Sequence, residues 1–176
     1  IFNKLLNHTF QITKDLEVDK YLYYSNFIEI NDFWPNEIYQ KRLQNQSSDL
    51  GERMFTAFKE LADGGYQKIV IIGSDIFENT SEIIQSSFDF LSSSQTVIGK
   101  AVDGGYYAIG FNFEKIHSET FLQKIFLNRT WSHELVATEA LSVIDSFSFT
   151  CNFLPTLTDI DTEKDLKLFS SLYNNL

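Results

Sequence analysis

Four aspartates stand at turns where a bound cation would find them. Asp75 follows the apolar run Ile69-Val70-Ile71-Ile72 through Gly73-Ser74. Asp103 opens the double-glycine turn Asp103-Gly104-Gly105-Tyr106-Tyr107. Asp159 and Asp161 lie one residue apart, so in an extended segment both side chains point the same way. Hard cations such as Mg²⁺ or Mn²⁺ take carboxylate oxygens and bridge to substrate phosphates. With 14 Lys and Arg against 24 Asp and Glu, a net charge of −10, the chain would repel a diphosphate without such an ion. The expectation is a divalent metal between Asp75 and Asp161, holding a nucleotide phosphate.

Each residue also has a plainer reading. Asp159 or Asp161 suits the cap of a following helix, and Asp75 suits an Asx turn. Gly104-Gly105 suits a hairpin. Asp49-Leu50-Gly51-Glu52-Arg53 suits a helix start with an acidic first turn. Their joint order, rather than any one of them, carries the chemical reading.

The elements that would position these groups alternate. Helical spacing covers Phe2 to Ile12, and Asp19 to Ser25 reads as a strand. Asp32 to Asn45 reads as mostly irregular, broken at Pro35. Asp49 to Ala62 is a helix with Leu50, Met54, Ala57, Phe58 and Leu61 on one face, stopped by Asp63-Gly64-Gly65. Lys68 to Ile72 has the look of a central strand buried on both faces. Thr80 to Leu91 is a helix, Thr96 to Ile98 and Tyr106 to Phe111 are strands, and Ser132 to Ile144 is a helix. A strand over Phe147 to Phe153 and a helix over Thr162 to Tyr173 close the chain. This alternation predicts one α/β domain over residues 1–176 with a mainly parallel sheet. Ligands in such folds sit beyond the carboxyl ends of the strands, where the aspartates are.

Composition narrows the partners. A pI near 4.6 argues against nucleic acid, whose binding runs on clustered Lys and Arg. Apolar residues make up 43% and aromatics 15% of the chain, which argues against disorder. The lone Cys151 fits a reducing cytoplasm, and no apolar run reaches the roughly 20 residues of a membrane span. One Cys and no paired His spacing argue against a zinc site. His8, His117 and His133 sit without a nucleophile elbow, which sets aside Ser/His/Asp hydrolysis. Surface aromatics could build a homo-oligomer interface.

The segments Asp49-Leu50-Gly51-Glu52-Arg53-Met54, Ile72-Gly73-Ser74-Asp75, Asp103 to Gly110, Trp131-Ser132 and Asp159 to Leu166 together resemble the bacterial radical-SAM/selenodomain-associated transferase family. That family is glycosyltransferase-like, with the GT-A fold of nucleotide-diphospho-sugar transferases, a three-layer αβα arrangement. It is similar to 2-phospho-L-lactate and molybdenum cofactor guanylyltransferases. The resemblance implies that Asp75 and Asp161 hold the metal and that Asp103, Gly104 and Gly105 shape the acceptor or sugar pocket. Family members open with a strand and a Gly-, Lys- and Arg-containing loop. This chain starts at Ile1 in what reads as the following helix, so that strand is expected to be missing. Ile76-Phe77 replaces the family's Cys-Pro, and Lys100 replaces a Pro, adding a cation useful against phosphate.

The leading expectation is transfer from a nucleotide-sugar donor to a small-molecule acceptor. Asp103 would serve as general base, or would orient the acceptor hydroxyl. Asp49, Gly51, Arg53, Ser74, Gly104, Gly105, Tyr106 and Trp131 would line the donor cleft, Trp131 stacking on a sugar or base or simply packing. Two rivals stand beside it. One is nucleotidyl transfer to a phosphorylated small molecule, by the same metal logic. The other is a catalytically weak binding protein that kept the fold.

Overall fold

The computed structural model describes residues 2–160. Helix α1 (Phe2–Thr13) leads to strand β1 (Lys20–Tyr24), which pairs in parallel with β2 (Tyr39–Leu43), Lys20 opposite Tyr39 and Tyr24 opposite Leu43. Then follow α2 (Leu50–Asp63), β3 (Lys68–Ile72), α3 (Ser81–Ser93), β4 (Thr96–Lys100) and β5 (Tyr106–Asn112). Helices α4 (Glu119–Phe126) and α5 (Val136–Ser146) and strand β6 (Cys151–Phe153) complete the order. The second sheet runs β3-β5-β4-β6. Strand β5 is antiparallel to β3 and to β4, while β4 and β6 are parallel. Three of the four strands therefore share one direction and β5 is reversed, so two of the three ladders are antiparallel and the described sheet is mixed, and β3, expected as a central strand buried on both faces, lies at its described edge with only Ile69 buried.

Pleating splits the core into two apolar layers. Ile69, Ile98, Ile109 and Phe111 pack with Phe58 of α2, with Phe121 and Phe126 of α4, and with Ala140 and Ile144 of α5. Their strand neighbours Val97 and Ala108 turn to the other face, against Leu91 of α3 and Ile76. Alternate residues thus feed opposite layers, and helices cover both faces. Phe58 stacks on Phe126 at 5.5 Å between ring centroids, and Phe111 meets Phe121 edge-on at 5.3 Å. Local chemistry sets the helix limits. Thr80 caps α3 by accepting the Ile83 N–H, and Gly65, at φ +96°, ends α2 in a conformation that favours glycine.

Four other expectations change in detail. The span Asp32–Asn45, read as mostly irregular, contains β2. Its pattern Tyr39-Gln40-Lys41-Arg42-Leu43 hides because Lys41 and Arg42 are held by polar partners rather than by an apolar face. The Arg42 guanidinium lies 4.5 Å from the Tyr21 ring centroid and pairs with Glu60. Helix α4 was not anticipated, although Ser118 caps it through the Phe121 N–H at 3.2 Å. Helix α5 starts at Val136 rather than Ser132, whose φ of +62° is not helical. The strand expected from Phe147 shortens to Cys151–Phe153 because Ser148 turns at φ +56°. The helix expected over Thr162–Tyr173 lies outside the described residues.

A partly buried ion pair holds the loop between β1 and β2. Lys41 Nζ donates to Asp32 Oδ1 at 2.7 Å and to the carbonyl oxygens of Glu29 and Ile30 at 2.9 and 3.2 Å. The Tyr24 hydroxyl donates to Asp32 Oδ2, and the Trp34 N–H donates to Oδ1 at 3.0 Å. Burial works against ionisation of Asp32, but the hydrogen bonds from Lys41, Tyr24 and Trp34 and the Lys41 charge outweigh it. The carboxyl is therefore held below its ordinary value.

Lys41→Met is expected to cost about 1–3 kcal/mol in urea denaturation, because it leaves a partly buried carboxylate without its cation, and Lys41→Met with Asp32→Leu should recover most of the loss. A folded-state pKa below the unfolded one makes the Asp32 contribution present above about pH 4 and lost as pH falls further. The parent should therefore lose stability on acidification more steeply than Asp32→Asn, which a pH series of denaturation midpoints measures.

Candidate active site

The carboxyl end of β3 is where the chain's last described segment returns. Beyond Ile72 the Gly73 N–H donates to the Tyr107 carbonyl at 2.7 Å, so Gly73 still lies along β5 before the chain turns at Ser74-Asp75. Ile76, 3% exposed, anchors that turn in the core. Past β6 the segment from Leu154 to Ile160 crosses strand ends in order. The Leu157 N–H donates to Lys100 O at 3.1 Å, the Val102 N–H donates to Leu157 O at 3.0 Å, and Ala101 and Leu157 form a parallel bridge. The Thr158 N–H then donates to Glu78 Oε2 at 2.8 Å, and the Ile160 N–H donates to Asp75 O at 3.1 Å. Asp159 is thereby delivered to the rim that carries Asp75.

The third acid is fixed by glycine geometry. Asp103 is exposed and accepts the Gly105 N–H on Oδ1 at 2.8 Å. Gly104 has φ +95°, and a Cβ there would come within 2.0 Å of Glu134 O. Its carbonyl accepts the Ala137 N–H at 2.9 Å, a partner for the first turn of α5, where Leu135 provides no side-chain cap. The Asp103 turn is therefore docked on the start of α5.

Ser74, Asp75, Asp103, Gly105, Tyr106, Arg53, Trp131 and Asp159 all line one cavity of about 1000 Å³. The structure thus brings together most of the residues singled out from sequence. Asp161 lies outside the described residues. Among the described residues, no three His, Cys, Asp or Glu side chains cluster to hold a metal. Asp75 and Asp159 supply two carboxylates to the cavity, which suits a hard cation that takes one or two carboxylates and completes its shell with water and phosphate oxygens.

Three other candidates have structural jobs. Asp49 caps α2, accepting the Glu52 N–H at 2.9 Å. Gly51 is buried, and a Cβ there would lie 1.9 Å from Phe126 O and 2.7 Å from the Trp131 ring. It lets α2 approach α4 and seats Trp131, which meets Tyr106 edge-on at 6.5 Å. Gly104 serves the α5 contact described above. Arg53 lines the cavity while donating to Ser47 O at 2.7 Å and Gln44 Oε1 at 3.3 Å. Lys100 sits over Phe153, 5.3 Å from the ring centroid, rather than in the cavity lining.

His133 and Tyr107 are among the wall residues that sequence reasoning did not assign to the site. His133 lines the cavity, with Nδ1 accepting the Leu135 N–H at 3.3 Å and Nε2 within 3.2 Å of Thr130 Oγ1. Tyr107 also lines it and donates to Pro155 O at 2.9 Å, and burial pushes its phenol up to about 12. The signal for Tyr107 was Gly99, where a Cβ would lie 2.5 Å from the Tyr107 ring.

The family described as "Uncharacterized protein conserved in bacteria (DUF2064)" matches residues 9–133, most of the chain. The chain belongs to the DUF2064 family. This DUF2064 chain is 25% identical to a candidate nucleotide-diphospho-sugar transferase from Desulfovibrio desulfuricans G20, with a TM-score of 0.83 over 99% of this chain and 74% of that one. A 4-diphosphocytidyl-2C-methyl-D-erythritol synthase from Anaerococcus prevotii DSM 20548 superposes at TM-score 0.66 and 12% identity, over 98% and 86% of the two chains. A cytidylyltransferase from Leptospira borgpetersenii serovar Hardjo-bovis (strain JB197) gives TM-score 0.61 and 15% identity, over 98% and 76%. No curated protein matches the chain. The fold expected from sequence, that of nucleotide-diphospho-sugar transferases, is the fold observed. No described helix is long and apolar enough to cross a membrane.

Gly51→Ala should lose about 1–3 kcal/mol of stability in thermal or urea unfolding, because its Cβ has only a backbone carbonyl and a seated indole to displace. Asp49→Ala should lose about 1 kcal/mol and Asp49→Ser should restore most of it, as for a helix cap. If Asp49 instead held ligand, Asp49→Ser would keep the binding defect of Asp49→Ala.

Proposed function

We propose that this DUF2064 protein transfers a sugar from a nucleotide-diphospho-sugar donor to a small-molecule hydroxyl, with Mg²⁺ or Mn²⁺ bound by Asp75 together with the Asp159–Asp161 segment. The observation that carries the reading is the Ile160 N–H to Asp75 O bond, which ties the late acidic segment to the strand-end aspartate. The 25% identical relative and the resemblance to radical-SAM/selenodomain-associated transferases support the donor class. The lone Cys151 supports a cytoplasmic setting.

In this reaction the bond from the donor's anomeric carbon to the diphosphate oxygen breaks, and the acceptor oxygen bonds to that carbon. The acceptor's proton passes to the Asp103 carboxylate, which the Gly105 N–H holds at the rim. A divalent ion, when bound, offsets negative charge on the departing diphosphate. Arg53 adds a cation to the wall, held in place by Ser47 O and Gln44 Oε1. Trp131 and Tyr106 form an aromatic corner against which the donor's base or sugar packs.

A panel of nucleotide sugars and nucleoside triphosphates, each with and without Mg²⁺ or Mn²⁺, tests this by thermal shift. A nucleotide sugar at a hundredfold its Kd should stabilise the protein by about 2.7 kcal/mol, only with metal. Asp75→Ala should abolish the metal-dependent part, and Asp103→Asn should keep it while lowering turnover by about 10²–10⁴-fold. Stabilisation by a triphosphate alone would move the assignment to nucleotidyl transfer. Stabilisation by neither would leave a fold without this activity.

A further inference from the structure

One corner of the cavity wall holds hydrogen-bond donors that the fold leaves without a good acceptor. Among the described residues, Trp131 Nε1 is the buried side-chain nitrogen or oxygen with no hydrogen-bond partner. Tyr106 meets Trp131 edge-on, 6.5 Å between ring centroids, and its hydroxyl donates to Met54 Sδ at 3.9 Å. A thioether is a weak acceptor. Burial pushes the Tyr106 phenol far above its ordinary value, against a smaller lowering by Arg129, so at neutral pH it keeps its proton. Buried polar groups are nearly always hydrogen-bonded, and an orphan in a cavity wall points to a partner that arrives with the ligand.

Helix α2 forms the floor of this corner. Gly51 and Met54 share a face of it, one turn apart. A Cβ at Gly51 would meet Trp131 Cζ2 at 2.7 Å, and Cζ2 is bonded to the carbon that carries Nε1. The N–H edge of the indole therefore lies along α2, next to the turn where the Met54 thioether stands at the Tyr106 hydroxyl. Met54, Tyr106 and Trp131 all line the cavity. Methionine is unbranched and flexible, so a ligand displaces the thioether without moving the backbone. Tyr106 follows directly on Gly105, whose N–H holds the Asp103 carboxylate. The corner thus adjoins the group that takes the acceptor's proton in the proposed transfer, which is the sugar end of the donor.

We propose that the Trp131 Nε1–H and the Tyr106 hydroxyl are a specificity-determining donor pair for an uncharged oxygen of the transferred sugar, a place held by the Met54 thioether until the sugar enters. The proposal rests on the nucleotide-sugar reading above and deepens it by naming the part of the donor that this corner reads. Trp131 then acts through the N–H at its edge, and its ring face is not a stacking platform. An uncharged oxygen fits because both donors are neutral and the neighbouring Met54 and Ala57 are apolar, so a charged substituent would be desolvated there without a counter-ion. A sugar lacking that oxygen is rejected, since it leaves both donors unpaired.

Calorimetric titration in Mg²⁺ tests this, with UDP-glucose, GDP-mannose and ADP-glucose against UDP, GDP and ADP, on the parent chain and on Tyr106→Phe. For the nucleotide sugar that binds, Tyr106→Phe should weaken affinity by about 3–10-fold, the loss of one neutral hydrogen bond, and should leave the matching diphosphate unchanged. The melting temperature of ligand-free Tyr106→Phe should not fall, because the phenol gives up only a sulfur contact. For Trp131 the readout is the indole ¹⁵N–¹H signal, assigned by its disappearance in Trp131→Phe. It should move downfield with the nucleotide sugar and stay in place with the diphosphate. A fall in the melting temperature of Tyr106→Phe would overturn the donor pair, and so would equal weakening of sugar and diphosphate. An indole signal unmoved by a bound nucleotide sugar would do the same, and all three results would leave the transfer reaction standing. Binding of no nucleotide sugar would remove the transfer reaction, and the donor pair with it.

Discussion

A single direction of chain travel organises the candidate site. After β6 the polypeptide lies along the ends of β4 and then β3, held by backbone hydrogen bonds at Lys100, Val102 and Asp75. Backbone bonds of this kind fix position without depending on a side-chain rotamer, and they are costly to break where partly buried. Because Asp159 is carried on that segment, its backbone position beside Asp75 is set by the sheet. A cation shared by carboxylates eighty-odd residues apart in sequence needs that kind of rigidity.

Small residues seat the parts that stand behind the cavity wall. Gly51 brings α2 against the Phe126 carbonyl and makes room for the Trp131 ring, Gly99 makes room for the Tyr107 ring, and Gly104 lets the Asp103 turn press on the start of α5. In each case the space a Cβ would fill is taken by an aromatic ring or a backbone carbonyl. The glycines thus act through what they admit. Their own contact with substrate is not needed to explain why glycine stands there.

Much of this was legible in sequence where chemistry and periodicity agreed. The strand at Lys68–Ile72, the capped helix beginning after Asp49 and the acid just beyond that strand all announced themselves through local pattern, although β3 has only Ile69 buried. Strand β2 did not, because Lys41 and Arg42 sit in a strand by virtue of partners distant in sequence: Asp32, Glu60 and the Tyr21 ring. Asp49 read equally as a ligand or a cap, and only the Glu52 N–H decides between them. Lys100 read as a phosphate cation, but the Phe153 ring draws it away. His133 carried no signal at all, since a lone histidine in a loop has no period and no motif. Asp161, the second predicted ligand, lies outside the described residues, so Asp159 is the acid whose approach to Asp75 the fold accounts for.

The central claim is that a divalent ion sits where β3 ends and the late acidic segment returns. Titration of Mn²⁺ into ¹⁵N-labelled protein measures this directly, because paramagnetic broadening marks the amides nearest the ion. Broadening should appear first at Gly73, Ser74, Asp75 and Asp159, and should vanish in Asp75→Ala. Broadening that begins elsewhere on this acidic surface, or that survives the substitution, would contradict the account.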